Sequence, residues 1–349
     1  MQRIFVPPFN PHAQQILMAL VALGLGTIAV VGNMTSGAID WLLISGGLAL
    51  LVGVHLSHGV PEALERCLRR LGDRGVIRVP TTLDELSRDM ENCVLRRWAP
   101  IAGGVVAAGI ALAFLGAYGL EGLLRRLPLV LAEVFGGYIA GCYLGRMACY
   151  GSLGRYLGKH GCSLRLIPGH PDGVGGWAPI GDFFFFQAVI AGIPAAFVAI
   201  WLMLIGFTGF HQRYAHWQEP YGYLLLLAMA FEMAAFVVPL LSFHRGMHEQ
   251  HGQLQREADR LSSQIAEVQR QLTLAEGGKD LAALKDSLEN LSARYWAIEH
   301  LPHWPVSRST RRLFGFGNVG LLIPLLTEYL GLPAVWIELL QNLLTNRAA

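Results

Sequence analysis

Residues 221–243 read YGYLLLLAMAFEMAAFVVPLLSF. Across these 23 residues the only charge is Glu232. A helix crosses the hydrocarbon core of a bilayer in about 20 residues. The stretch therefore reads as a membrane span, and five more of the same character precede it. They lie at 13–31, 41–58, 98–118, 128–147 and 183–207. The expected fold class is all-α: a polytopic membrane protein with six to seven transmembrane helices.

Composition agrees. The chain has 349 residues, of which 15% are charged, and its mean hydropathy is +0.42. Soluble domains carry about 25% charged residues. The net charge of +2 gives no global field for nucleic acid. The five cysteines (Cys67, Cys93, Cys142, Cys149 and Cys162) form no CxxC pair. The N-terminal MQRIFVPPFNPHAQQ has weak basic charge and no small-residue cleavage site, so it reads as retained rather than as a cleaved signal.

Basic residues fix the expected orientation. The segments after spans two, four and six hold 8, 4 and 10 Lys and Arg, whereas the alternate links hold 0, 2 and 1. The positive-inside rule then places the N-terminus and the three long segments in the cytoplasm, with the chain in the inner (plasma) membrane.

Each long segment has its own pattern. The arginine-rich connector, 59–97, contains Pro61–Leu71, which has helical period and an arginine face. Such a helix is expected at a membrane surface. Thr81-Thr-Leu-Asp-Glu85 reads as an N-cap with acids in the first turn. In span four, Gly137, Gly141 and Gly145 recur every four residues, the mark of a close helix contact in lipid. The segment 148–182 holds Pro168-Gly-His-Pro-Asp-Gly-Val-Gly-Gly-Trp177, a run of turn-forming residues and glycines. It reads as a structured entry into span five with Asp182 as N-cap, or as a ligand, ion or gating loop presenting His170 and Asp172.

After span six, 244–312 reads as a cytoplasmic coiled-coil hairpin. Leu254, Leu261, Ile265, Val268 and Leu272 form one apolar arm, and Leu281, Leu284, Leu288, Leu291, Tyr295 and Ile298 form the other. Gly277-Gly278 separates them, which makes the expected hairpin antiparallel. Residues 253–298 are the expected docking surface for a homo-oligomer or a cytoplasmic protein partner. The tail, 313–349, is a seventh crossing helix or a re-entrant segment followed by an amphipathic piece.

Ionisable residues inside spans are costly and are functional candidates by default. Glu232 is the first, and Glu133 in span four the second. Asn318 and Glu328 make the tail polar, so it is expected to face protein or water. Together with His170 and Asp172, the residues Glu232, Asn318 and Glu328 are the pore or gating candidates. Histidines form an alternative site: His55 and His58 end span two, and His244, His248 and His251 share one helical face after span six. Imidazoles so spaced can share Zn or Fe. They resemble in part the histidine boxes of membrane desaturases and hydroxylases, but HxxHH and a second HxxxH are missing.

The phrase HPDGVGG at 170–176 resembles an HPDxxGG segment of uncharacterised bacterial multi-pass proteins. That resemblance implies a bacterial membrane protein and no particular activity. The overall plan is similar to that of insect chemoreceptor channels: inward N-terminus, seven helices, and a large helical region before the last span. No motif residue is matched, so no residue role follows.

No Walker A segment, no GxGxxG following a strand, no GxSxG and no HExxH is present. The leading expectation is a homo-oligomeric channel or membrane effector without a cofactor, leaning away from an enzyme. A scaffold or signalling subunit comes next, and a metal-dependent membrane enzyme follows.

Overall fold

The computed structural model describes residue 24 and residues 41–80, 82–93, 97–125, 127–207, 218–274 and 279–329. The expected first span and the end of the tail lie outside the described residues.

The fold is all-α. In chain order the helices are α1 (Trp41–Ser57), α2 (Val60–Asp73), α3 (Leu83–Cys93), α4 (Ala99–Arg125), α5 (Leu127–Gly151) and α6 (Leu153–Lys159). Then follow α7 (Ala178–Ala191), α8 (Ile193–Phe207), α9 (Gln218–Leu274), α10 (Lys279–Glu299) and α11 (Arg308–Tyr329). Two short strands, β1 (Ile77–Arg78) and β2 (Ser163–Leu164), pair antiparallel with Ile77 opposite Leu164.

Among the described residues, three segments are long and apolar enough to cross a membrane: Ile44–Asp73, Ala99–Gly116 and Gln218–Leu274. The α7–α8 pair, bent by 43°, is a fourth if taken as one span. Their outer faces fit lipid. Val105 and Leu112 on α4, and Leu227 and Val238 on α9, are 62–67% exposed. Soluble monomers rarely leave contiguous apolar surface of that kind in water.

Several elements follow their local chemistry. Thr82 accepts the Glu85 amide at 3.4 Å and donates to Oε2 of Glu85 at 3.3 Å, a side-chain cap at the start of α3. The glycine face of α5 lies on α4. A Cβ at Gly141 would stand 2.6 Å from the Ala102 carbonyl oxygen and 2.8 Å from the Gly103 Cα. Only glycine permits that approach, as the four-residue spacing implied. At Gly119, φ is +62°, so regular α4 geometry ends at Tyr118.

Two expectations need correction. The amphipathic α2 does not present its apolar face to a membrane surface. Leu64, Cys67, Leu68 and Leu71 are buried inside the protein against α3 and α7. Span five is not one helix but two, broken at Gly192. The helix that holds the expected sixth span, α9, continues past Phe243 to a length of 57 residues. At 1.5 Å per residue that is a rod of about 85 Å.

α10 packs back along the far half of α9. Ala258, Leu261 and Ile298 are buried there, with Leu254, Leu291 and Tyr295 against them. Arg294 bonds Glu257 across the pair at 3.1 Å. Of the expected apolar positions, Leu254, Leu261, Leu291, Tyr295 and Ile298 meet there, together with Ala258.

Candidate functional site

The break between α7 and α8 has a covalent cause. Pro194 has no N–H, and its ring would clash with the carbonyl four residues back in a continuous helix. Gly192 ends α7; its amide bonds the Ala188 carbonyl at 2.8 Å and its carbonyl accepts from the Ala196 amide at 2.8 Å. Its φ of −77° is ordinary, so backbone strain does not select glycine here. Space does. A Cβ at 192 would stand 2.8 Å from both Cδ and Oε2 of Glu232.

Glu232 therefore projects from α9 onto bare backbone at the helix break. It is 7% exposed. Oε1 lies 3.5 Å from Asn318 Nδ2, on α11. The same Nδ2 donates to the Phe314 carbonyl at 3.0 Å. Glu232 Oε2 and Asn318 Oδ1 are buried without a hydrogen-bond partner. Buried polar atoms are nearly always paired. Two orphan acceptors on adjacent side chains form a site that takes a proton, a water or a small cation. Discontinuous helices facing such a residue are how membrane proteins build ion sites within the bilayer.

The structure thus brings two of the pore or gating candidates together. Glu328 falls in the last turn of α11, and its side chain lies outside the described residues. Glu133 stands on an exposed face of α5. The break at Gly192 was not read from sequence, although a Gly and a Pro two residues apart inside an apolar run signal one.

The HPDGVGG loop is built differently. Asp172 is its hub. Oδ1 accepts the amides of Val174 and Gly176, each at 3.0 Å, and lies 2.9 Å from His170 Nδ1. Oδ2 accepts the Ala178 amide at 3.2 Å and Arg74 Nη1 at 2.9 Å. Burial alone would push this carboxyl up. The backbone donors and the His170 ring outweigh burial and hold it below the usual carboxylate range.

Gly173, Gly175 and Gly176 all have positive φ. A Cβ at Gly176 would also run into Val76. Trp177, 1% exposed, donates its indole N–H to the Arg165 carbonyl at 3.1 Å. Gln250 of α9 clamps the strand before the loop, accepting from the Leu166 amide at 2.7 Å and donating to the Leu164 carbonyl at 2.6 Å.

Asp182 is not the N-cap of this helix. Trp177 occupies that position without a side-chain bond, and Asp172 satisfies the first amide from outside. Asp182 lies inside α7 and accepts from Thr310 Oγ1 at 3.0 Å. His170 and Asp172 are within bonding distance of each other, but their polar groups are turned into the loop and bonded there.

The histidines do not assemble. No group of three or more His, Cys, Asp or Glu side chains suited to one metal ion occurs among the described residues. His55 and His58 close α1. His244 Nδ1 lies 2.6 Å from the His303 carbonyl oxygen, and its ring stacks on Trp304 at 4.5 Å. The His251 and His303 rings meet edge to face at 4.6 Å. His248 stands beside His244, with ring centroids 6.4 Å apart. These rings fasten α9 to the segment after α10.

No family model matches the chain, and no curated protein or solved structure matches it.

Proposed function

We propose that this chain is a homo-oligomeric membrane channel or membrane effector, gated or assembled through helices outside the bilayer. In this reading six helices cross the inner membrane and α11 is a seventh. The N-terminus and the arginine-rich segments face the cytoplasm, and α9 and α10 form an antiparallel coiled-coil hairpin there.

The observation that supports it is Glu232. A carboxylate buried in a membrane helix costs a few kcal/mol or more. Packing alone gives no reason to keep one with an unpartnered oxygen beside a broken helix and an equally unpartnered Asn318. Passage of a cation or proton gives such a reason. A second reading, a scaffold that recruits a protein partner through 253–298, draws on Trp296. This indole is 58% exposed on α10.

Purified protein in liposomes tests the choice. Wild type is expected to pass current, and Glu232→Gln and Asn318→Leu to alter its cation selectivity. Absence of current in folded wild type at either polarity sinks the channel reading. Loss of a bound partner on removing α10 would then favour the scaffold.

A further inference from the structure

We infer that the cleft between α2 and the start of α7 binds the phosphate group of an anionic phospholipid. The cleft holds about 180 Å³ and is lined by Ala63, Arg66, Cys67, Arg70, Pro179, Asp182, Phe183 and Phe186. Arg66 and Arg70 are one helical turn apart and both exposed. Neither has a carboxylate within 4.0 Å among the described residues, whereas Arg69, between them in sequence, pairs with Glu65 and Asp84. Arg66 Nε donates to its own helix, at the Glu62 carbonyl, 3.3 Å away. That leaves its terminal nitrogens and all of Arg70 for a ligand. Two guanidiniums with free forks are suited to phosphate oxygens.

Asp182 is the one acid in the lining. Its Oδ1 is engaged by Thr310, and two guanidiniums outnumber it. Thr310, which bonds Asp182, belongs to the first turn of α11, where Arg308, Arg311 and Arg312 are exposed.

The apolar lining selects a lipid over a free anion. Phe183, Phe186, Pro179 and Ala63 offer nothing to an inorganic phosphate but fit glycerol and the first acyl methylenes. The position fits too. α1 ends at Ser57, and a Cβ at Gly59 would stand 3.5 Å from the Phe186 ring. The cleft therefore opens where an apolar candidate span gives way to arginines. Basic pockets at that level hold anionic headgroups.

The test uses the full chain in phosphatidylcholine nanodiscs, titrated with dihexanoyl phosphatidylglycerol, dihexanoyl phosphatidylcholine or inorganic phosphate and read by native mass spectrometry. Wild type is expected to prefer the glycerol lipid by about tenfold over the choline lipid, and Arg66→Gln/Arg70→Gln to lose that preference. Arg260→Gln, on exposed α9 surface, is expected to keep it. Equal binding of the two lipids by wild type overturns the inference. So does a folded double variant that keeps the preference. Displacement by inorganic phosphate at the same concentration as the short-chain lipid would show a free-anion site and would also overturn it. The wild-type comparison needs no variant, so misfolding of the double variant leaves a decisive readout.

Discussion

Replacing Asp172 with Asn should loosen the whole entry to α7. The carboxylate receives three backbone amides at 3.0, 3.0 and 3.2 Å and the Arg74 guanidinium at 2.9 Å. Its side chain is 9% exposed and that of Arg74 is 30% exposed. An amide keeps one acceptor oxygen, enough for Val174 and Gly176. It turns an NH₂ toward the Ala178 amide and Arg74, where two donors then face a third. Hydrogen bonds to charged groups are worth about 1.5–3 kcal/mol each, and they do not add fully. Breaking a largely buried charge pair costs about 3–5 kcal/mol, less here because Arg74 retains solvent. The expected loss is therefore about 3 kcal/mol. Urea unfolding in micelles, followed by tryptophan fluorescence, reads it, since Trp177 is buried within the loop. Amide exchange should rise most at Val174, Gly176 and Ala178.

The sign with pH follows from the lowered carboxyl. This contribution is fully present above the unfolded Asp pKa, near 3.9, and is lost as pH falls through the lower folded value. The variant should therefore show a flatter acid limb. A loss below about 0.5 kcal/mol, or exchange unchanged at the three amides, would refute Asp172 as the hub.

Gly192→Ala places a methyl against the Glu232 carboxylate and should destabilise by about 1–3 kcal/mol, yet be neutral in a Glu232→Ala background. Thermal melts of the four proteins check this, and equal costs in both backgrounds would break the packing argument. Gly141→Ala meets backbone of α4 at 2.6 and 2.8 Å and should lower stability by a similar amount of about 1–3 kcal/mol. Gly104→Ala meets nothing within 4 Å and should be neutral or stabilising in the same assay.

Much of this was legible where the signal is periodic. The run 221–243 is apolar throughout, and the 3-4 spacing from Leu281 to Ile298 repeats one face, whose Leu291, Tyr295 and Ile298 pack on α9. The glycine ladder of α5 carries the same kind of redundancy. What sequence could not give is what covers a face. The stripe Leu64, Leu68 and Leu71 suits lipid headgroups and a protein neighbour equally well, and α7 proves to be the neighbour. Long-range polar pairing was equally hidden. Asp172 was legible as unusual, but Arg74 stands 98 positions away and nothing in the loop names it. Glu232 and Asn318 were read as separate polar residues, because their meeting depends on three helices converging at Gly192.

The one long helix joins these parts mechanically. Glu232, Gln250 and Glu257 all lie on α9, with Pro239 inside the helix between the first two. Gln250 is 18 residues from Glu232, about 27 Å along the axis, and holds the strand that leads into the Asp172 loop. Glu257 is seven residues further and bonds α10. A packed helix does not compress, so a shift of α10 or of the loop has to move α9 against its neighbours as a rigid body. One contact such a shift would alter is the one that leaves no room for a side-chain atom. That is the Glu232 carboxylate on the backbone of Gly192, where a Cβ would already stand 2.8 Å from Oε2. The helix that carries the packed pair with α10 also carries the Glu232 carboxylate.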